Sequence, residues 1–153
     1  LALGVDPPDP DLMKRPPRKV EETIVNRQRG ILIGFVGILV MLNTLFVFDL
    51  YDPGAQLIKA QTMAFTTIVL SQLFNAFNQR SETQSLFMVG PFKNKWLLIA
   101  IALSIGMQAI VIYIPFLQTL FGTAALSAKD WGISIAVSAS VLVFGEIVKM
   151  IRR

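Results

Sequence analysis

Charged and uncharged positions fall into long blocks along this chain. After a polar opening that runs to Arg29, residues 31–48 carry no charge. The same holds for residues 60–79, 96–128 and 131–145, and the apolar pattern of the last block continues to Ile151. A bilayer core about 30 Å thick is crossed by roughly 20 helical residues. The blocks therefore predict four membrane spans, at about 30–50, 58–78, 96–114 and 131–151, with Pro115 and Gly122 breaking the long third block. In hydrocarbon the backbone must satisfy its own hydrogen bonds, so spans of this length are helices, because open strands would leave unpaired edges. The fold class expected is an all-α membrane protein, four transmembrane helices in a polytopic bundle preceded by a Pro-rich cytoplasmic loop.

That loop, residues 1–29, holds Pro7, Pro8, Pro10, Pro16 and Pro17. Proline fixes φ and removes a donor, so the stretch is stiff and extended, and Glu21, Glu22 and Thr23 mark where a helix can begin. Composition agrees with a membrane protein: 54% of residues are hydrophobic, 16% are charged and mean hydropathy is +0.60. Soluble chains carry about 25% charged residues, and disorder needs more charge and less hydrophobicity. The absence of Cys and His removes zinc fingers, disulfide scaffolds, thiol nucleophiles and Ser-His-Asp triads. The net charge is +4, but its distribution follows topology. Of the 14 Lys and Arg, all but Lys59 and Lys129 fall on the side of the two termini. By the positive-inside rule that side is cytoplasmic, and no nucleic-acid partner is needed to explain the basic excess. Tyr51, Trp96, Tyr113 and Trp131 stand at span ends, where aromatic belts form. The chain opens on Leu1 with no signal-peptide layout, and the expectation is a piece of a longer polypeptide.

Polar and small residues inside the spans suggest how the helices meet. Gly30, Gly34 and Gly37 form a small-residue face on the first span, suited to close helix packing. Gly132, Ala136 and Ser140 form a similar stripe on the fourth. Glu146 and Lys149, one turn apart, suggest a local ion pair. On the second span Gln61, Gln72, Asn75 and Gln79 fall on one face at 100° per residue. Such a stripe is either hydrogen-bonding glue between helices or one wall of an ion path, its amide oxygens open to a hard cation. No carboxylate lies in the middle of a span, so these four helices hold no complete metal or proton site. No Gly-rich phosphate loop is present.

The opening string Pro7-Pro8-Asp9-Pro10-Asp11-Leu12-Met13-Lys14-Arg15-Pro16-Pro17-Arg18 resembles the cytoplasmic loop after the sixth membrane helix of P-type cation ATPases, in particular calcium pumps of the reticulum and secretory pathway. Asn75-Ala76-Phe77-Asn78 followed by Ser81-Glu82-Thr83-Gln84-Ser85-Leu86 is similar to the end of their eighth helix, and Glu146-Ile147-Val148-Lys149 to the end of their tenth. The resemblance covers essentially the whole chain.

It implies that residues 1–5 are the tail of the sixth helix and that the spans are helices seven to ten. The loop at 6–18, with Asp9, Asp11, Arg15 and Arg18, would couple the phosphorylation domain to the membrane helices. Gly30, Gly34 and Gly37 would pack on the long fifth helix of the same pump. ATP, Mg2+ and the aspartyl-phosphate belong to the parent pump, and the main ion site to its fourth to sixth helices, outside this chain. Two-calcium pumps have a Glu where this chain has Gln72, and sodium/potassium pumps an Asp where it has Asn75. An amide brings a dipole where a carboxylate brings a full charge. The expectation is a pump that moves one Ca2+, or Mn2+, per cycle, with Gln72 and Asn75 beside the ion path. Lys14 also replaces an acid of reticulum pumps. The alternatives are a stand-alone membrane scaffold or regulator, and the same domain of a Na+ or H+ pump.

Overall fold

The computed structural model describes residues 27–80, 90 and 94–151. Its helices are α1 (Arg27–Leu50), α2 (Pro53–Asn78), α3 (Lys95–Tyr113), the short α4 (Pro115–Phe121) and α5 (Ala128–Ile151), with no strand among the described residues. Four of them are long and apolar enough to cross a membrane: Arg29–Leu50, Pro53–Asn78, Lys95–Tyr113 and Ala128–Ile151. The coupling-loop residues Asp9, Asp11, Arg15 and Arg18 lie outside the described residues.

Local chemistry sets the helix ends. Asp52 takes a left-handed φ of 46° between α1 and α2, a conformation that costs most residues free energy but suits Asp. Pro53 then occupies the first turn of α2, where its missing N–H is no loss. The helix therefore begins five residues before the expected start at 58, and the extra turn bends at Gln56 (φ −135°). Asn94 caps α3 by accepting from the Leu97 amide at 2.9 Å. Pro115 ends α3: Ile114, the residue before it, is driven to extended backbone (ψ 119°). Gly122 closes α4 with φ 63°, the left-handed cap that glycine adopts without strain.

α2 is the central helix, packed most extensively against α5 and α1; α1 also meets α5, and α3 touches α2 over a small area. The apolar core is Val47, Met63, Ile112 and Leu126, bordered by Tyr51, Trp131, Ile133 and Val137. All of these sit in the half of the bundle that holds the α1–α2 turn. Elsewhere the buried positions of α2 and α5 are mostly small and polar. Large apolar side chains such as Ile31, Phe35, Phe46, Leu103 and Met107 point outward, a surface matched to lipid hydrocarbon rather than water.

Candidate functional site

Asp130 holds the end of the bundle at the α1–α2 turn. It stands in the first turn of α5, where Ser127 forms a reciprocal cap: the Ser127 amide donates to Asp130 Oδ2 at 2.8 Å and the Asp130 amide to Ser127 Oγ at 3.3 Å. The carboxylate is 3% exposed. It accepts from the Tyr51 hydroxyl at 2.5 Å, and Lys59 Nζ lies 3.2 Å away and 5.1 Å from the Tyr51 ring centre. One carboxylate thus ties α5 to the end of α1 and the start of α2. Burial, with the hydrogen bond and charge of Asp130, pushes the Tyr51 hydroxyl up to about 12. Nearby, Trp131 Nε1 donates to the Tyr113 hydroxyl at 2.9 Å, which donates to the Leu126 carbonyl at 2.7 Å, linking α5 to α3.

A seam of hydroxyls and amides runs through the middle. Thr62 and Thr66 donate back to the carbonyls four residues earlier, leaving their oxygens to accept from the Ala124 amide at 2.9 Å and from Gln108 Nε2 at 3.0 Å. Thr67 Oγ1 is 3.4 Å from Ser134 Oγ, and Ser138 Oγ donates to the Thr67 carbonyl at 3.0 Å. Asn43 of α1 donates to the Val137 carbonyl and to Ser140 Oγ at 3.2 and 2.9 Å.

At the opposite end Asn78 Nδ2 donates to the Val141 carbonyl at 2.9 Å, and the Asn78 amide rests so close to Gly145 that a Cβ there would collide with it. Lys149, 5% exposed, pairs with Glu146 at 3.2 Å, as expected for residues one turn apart. A cavity of about 200 Å³ opens beside them, lined by α1, α2 and α5.

The residues singled out in the sequence are placed as follows. Gln61, Gln72 and Gln79 are exposed, while Asn75 is half-buried and lines the cavity. Gln72 makes no hydrogen bond among the described residues, whereas the hydroxyls of Thr62, Thr66 and Thr67 do reach neighbouring elements; the Ser71 hydroxyl is buried in the same stripe without a partner. The face of α5 turned inward is Asp130–Ser134–Ser138–Val141, whereas Gly132 and Ala136 are exposed. Of the expected Gly132–Ala136–Ser140 stripe, only Ser140 meets a neighbour in these hydrogen bonds. Gly30, Gly34 and Gly37 are exposed, with open space where a Cβ would stand. No group of three or more His, Cys, Asp or Glu that could hold a metal occurs among the described residues.

The whole-chain pattern has relatives. A family model described as "Cation transporting ATPase, C-terminus" matches residues 1–151. The chain belongs to that family. It is 38% identical to a calcium-transporting ATPase of Bacillus cereus over 100% of this chain and 19% of that protein. It is 38% identical to calcium-transporting ATPase type 2C member 2 of Rattus norvegicus over 97% of this chain and 16% of that protein. A calcium-transporting ATPase of Bacillus subtilis is 40% identical over 91% of this chain and 16% of its own length. The chain thus spans less than a fifth of these relatives. Within this cation-transporting ATPase C-terminal domain, the exposed glycine row and Gln72 are faces that four helices alone leave uncovered.

Proposed function

We propose that this chain is the C-terminal membrane support domain of an ATP-driven Ca2+ pump, with both its ends cytoplasmic. The observation that carries the proposal is the full-length likeness to proteins named calcium-transporting ATPases in bacteria and rat. The open Gly30–Gly34–Gly37 face supports it, as does an exposed Gln72 on a membrane helix, since polar side chains within a bilayer face protein or water rather than lipid. In this reading both faces turn toward the pump's other membrane helices. ATP and Mg2+ act elsewhere in the parent protein, whose relatives are more than five times the length of this chain. The loop at 6–18 couples the phosphorylation domain to the bundle through Asp9, Asp11, Arg15 and Arg18. Gln72 and Asn75 stand where an acid would complete a second ion site, so the pump moves one ion per cycle, Ca2+ or Mn2+. A neutral amide beside the path adds little affinity for a divalent ion. Gln72→Ala in the full-length protein is therefore expected to change apparent Ca2+ affinity by less than about threefold, under about 0.7 kcal/mol, and to leave a Hill coefficient of one for Ca2+-stimulated ATP hydrolysis. A Hill coefficient near two, or a large loss of affinity, would assign Gln72 to a working ion site.

A further inference from the structure

We propose that the short helix α4 (Pro115–Phe121) is a membrane-interface anchor whose apolar face dips into the lipid leaflet on the side of the α1–α2 turn. Residues 96–128 carry no charge, and α3 uses only the first part of them. With 19 residues, α3 rises about 28 Å, so the bilayer core is already crossed where Pro115 ends it. The chain does not then run out into water. Gln118 Nε2 donates to the Ile112 carbonyl, Thr123 Oγ1 to the Val111 carbonyl at 2.9 Å, and the Ala124 amide to Thr62 Oγ1 at 2.9 Å. These bonds fold the segment back over the end of α3 and onto α2. Thr62 lies roughly 13 Å along α2 from Pro53, so the start of α2 projects past the point where the segment is tied. At about 100° per residue Phe116, Leu117, Leu120 and Phe121 share one arc of about 140°, with Gln118 and Thr119 outside it. The polar side is engaged with the chain itself, because Gln118 reaches Ile112 and Thr119 Oγ1 donates to the Pro115 carbonyl at 3.1 Å. The apolar side is open: Phe116 is 74% exposed, Leu120 66% and Phe121 59%. Lipid is the occupant this face fits. It continues a row of exposed residues on a membrane span, Leu103, Met107, Ile110 and Ile114, which leads to the start of α4. The hydrogen-bonded Tyr113 and Trp131 set an aromatic belt beside it. Its side chains are Phe and Leu, without the small and polar residues that join the helices of this bundle. With no charge in the segment, insertion is driven by apolar burial rather than by anionic headgroups. The inference rests on the membrane spans and not on which ion is moved.

The full-length protein is reconstituted in phosphatidylcholine nanodiscs, with any cysteine outside this chain replaced. Phe116→Cys, Leu120→Cys and Phe121→Cys are each labelled with a nitroxide. Leu103→Cys on α3 is the lipid reference and Lys129→Cys the water reference. Power saturation compares collisions with O2, which concentrates in hydrocarbon, and with nickel-EDDA, which stays in water. The three α4 labels are expected to favour O2 and to read a depth of roughly 5–10 Å into the boundary between headgroups and acyl chains. Phe116→Trp keeps the apolar face and needs no label: its added emission should be quenched by lipids brominated on the acyl chain and not by aqueous iodide. Nickel-dominated collisions with iodide quenching would overturn the proposal and leave α4 in water. Low collision with both reagents would also overturn it, because another segment of the full-length protein would then cover the face. Ca2+-dependent phosphorylation, measured on the same preparations, reports separately on the pump assignment.

Discussion

At the scale of single residues, Asp130 does more than any other described side chain to join the helices. Its two oxygens serve an α5 cap, an α1 hydroxyl and an α2 ammonium at once. Removing one partner of a buried pair typically costs 3–5 kcal/mol; Lys59 is 31% exposed and can turn to water, so Asp130→Asn is expected to cost about 2 kcal/mol. The melting temperature of the full-length protein in detergent measures it, and adding Lys59→Met should cost less than the sum of the two single changes. Tyr51 gives a pH signature. Its folded pKa of about 12 exceeds the ordinary 10.0, so the folded state binds this proton more tightly. The resulting stability is complete below pH 10 and is lost as pH rises through 12. The advantage of wild type over Tyr51→Phe in thermal stability should hold steady below pH 10 and shrink above it. A stability gap that widened with pH would contradict the contact. Sequence reading passed over Asp130 because it stands just outside an uncharged block, although Ser127 and Asp130 three residues apart are a capping signal.

At the scale of elements, the bundle is joined by small polar contacts rather than by a continuous apolar core. Hydrogen bonds between membrane helices average about 0.6 kcal/mol each, so close approach of the backbones matters as much as the bonds. Gly145 is where that approach is tightest. Gly145→Ala should drive a methyl into the Asn78 amide and destabilise the α2–α5 contact by about 1–3 kcal/mol, as overpacking does. Asn78→Ala removes the obstacle, so the double variant should be more stable than Gly145→Ala alone in a double-mutant cycle. Additive losses would mean that the two residues do not touch. The helices themselves were legible, because runs without charge are the strongest signal a membrane sequence gives, and Pro115 and Gly122 mark the breaks. The inward faces were less so. Ser134 and Ser138 are no more polar than Ser140, and Gly132 is as small as Gly145, so composition does not say which stripe of α5 meets α2. The choice is made by the partner helix, whose Thr62, Thr66, Thr67 and Ser71 offer a narrow face. The Gln stripe misleads for the same reason: its polarity promises a partner, and that partner is not among these helices.

At the scale of the whole molecule, the bundle has the character of a part. Its glycine row has nothing against it, the exposed Gln61, Gln72 and Gln79 lie on a membrane helix, and the relatives it matches are more than five times its length. The support role proposed above requires rigidity at both ends of the bundle. Asp130 with Tyr51 and Lys59 provides it at one, and Asn78 on Gly145 at the other. The family was legible from the proline-rich opening string and from Asn75 to Asn78, because those motifs are long and specific. The ion and its number were not, because no carboxylate stands mid-span in this sequence and the polar side chains there are neutral. The most direct test is to incubate native membranes with γ-labelled ATP, with and without micromolar Ca2+, quench in acid, and locate the band that carries an epitope from this chain. The account predicts a Ca2+-dependent acyl-phosphate on a band far larger than 16.9 kDa. An unlabelled band near 16.9 kDa would contradict it and make the chain a free-standing bundle.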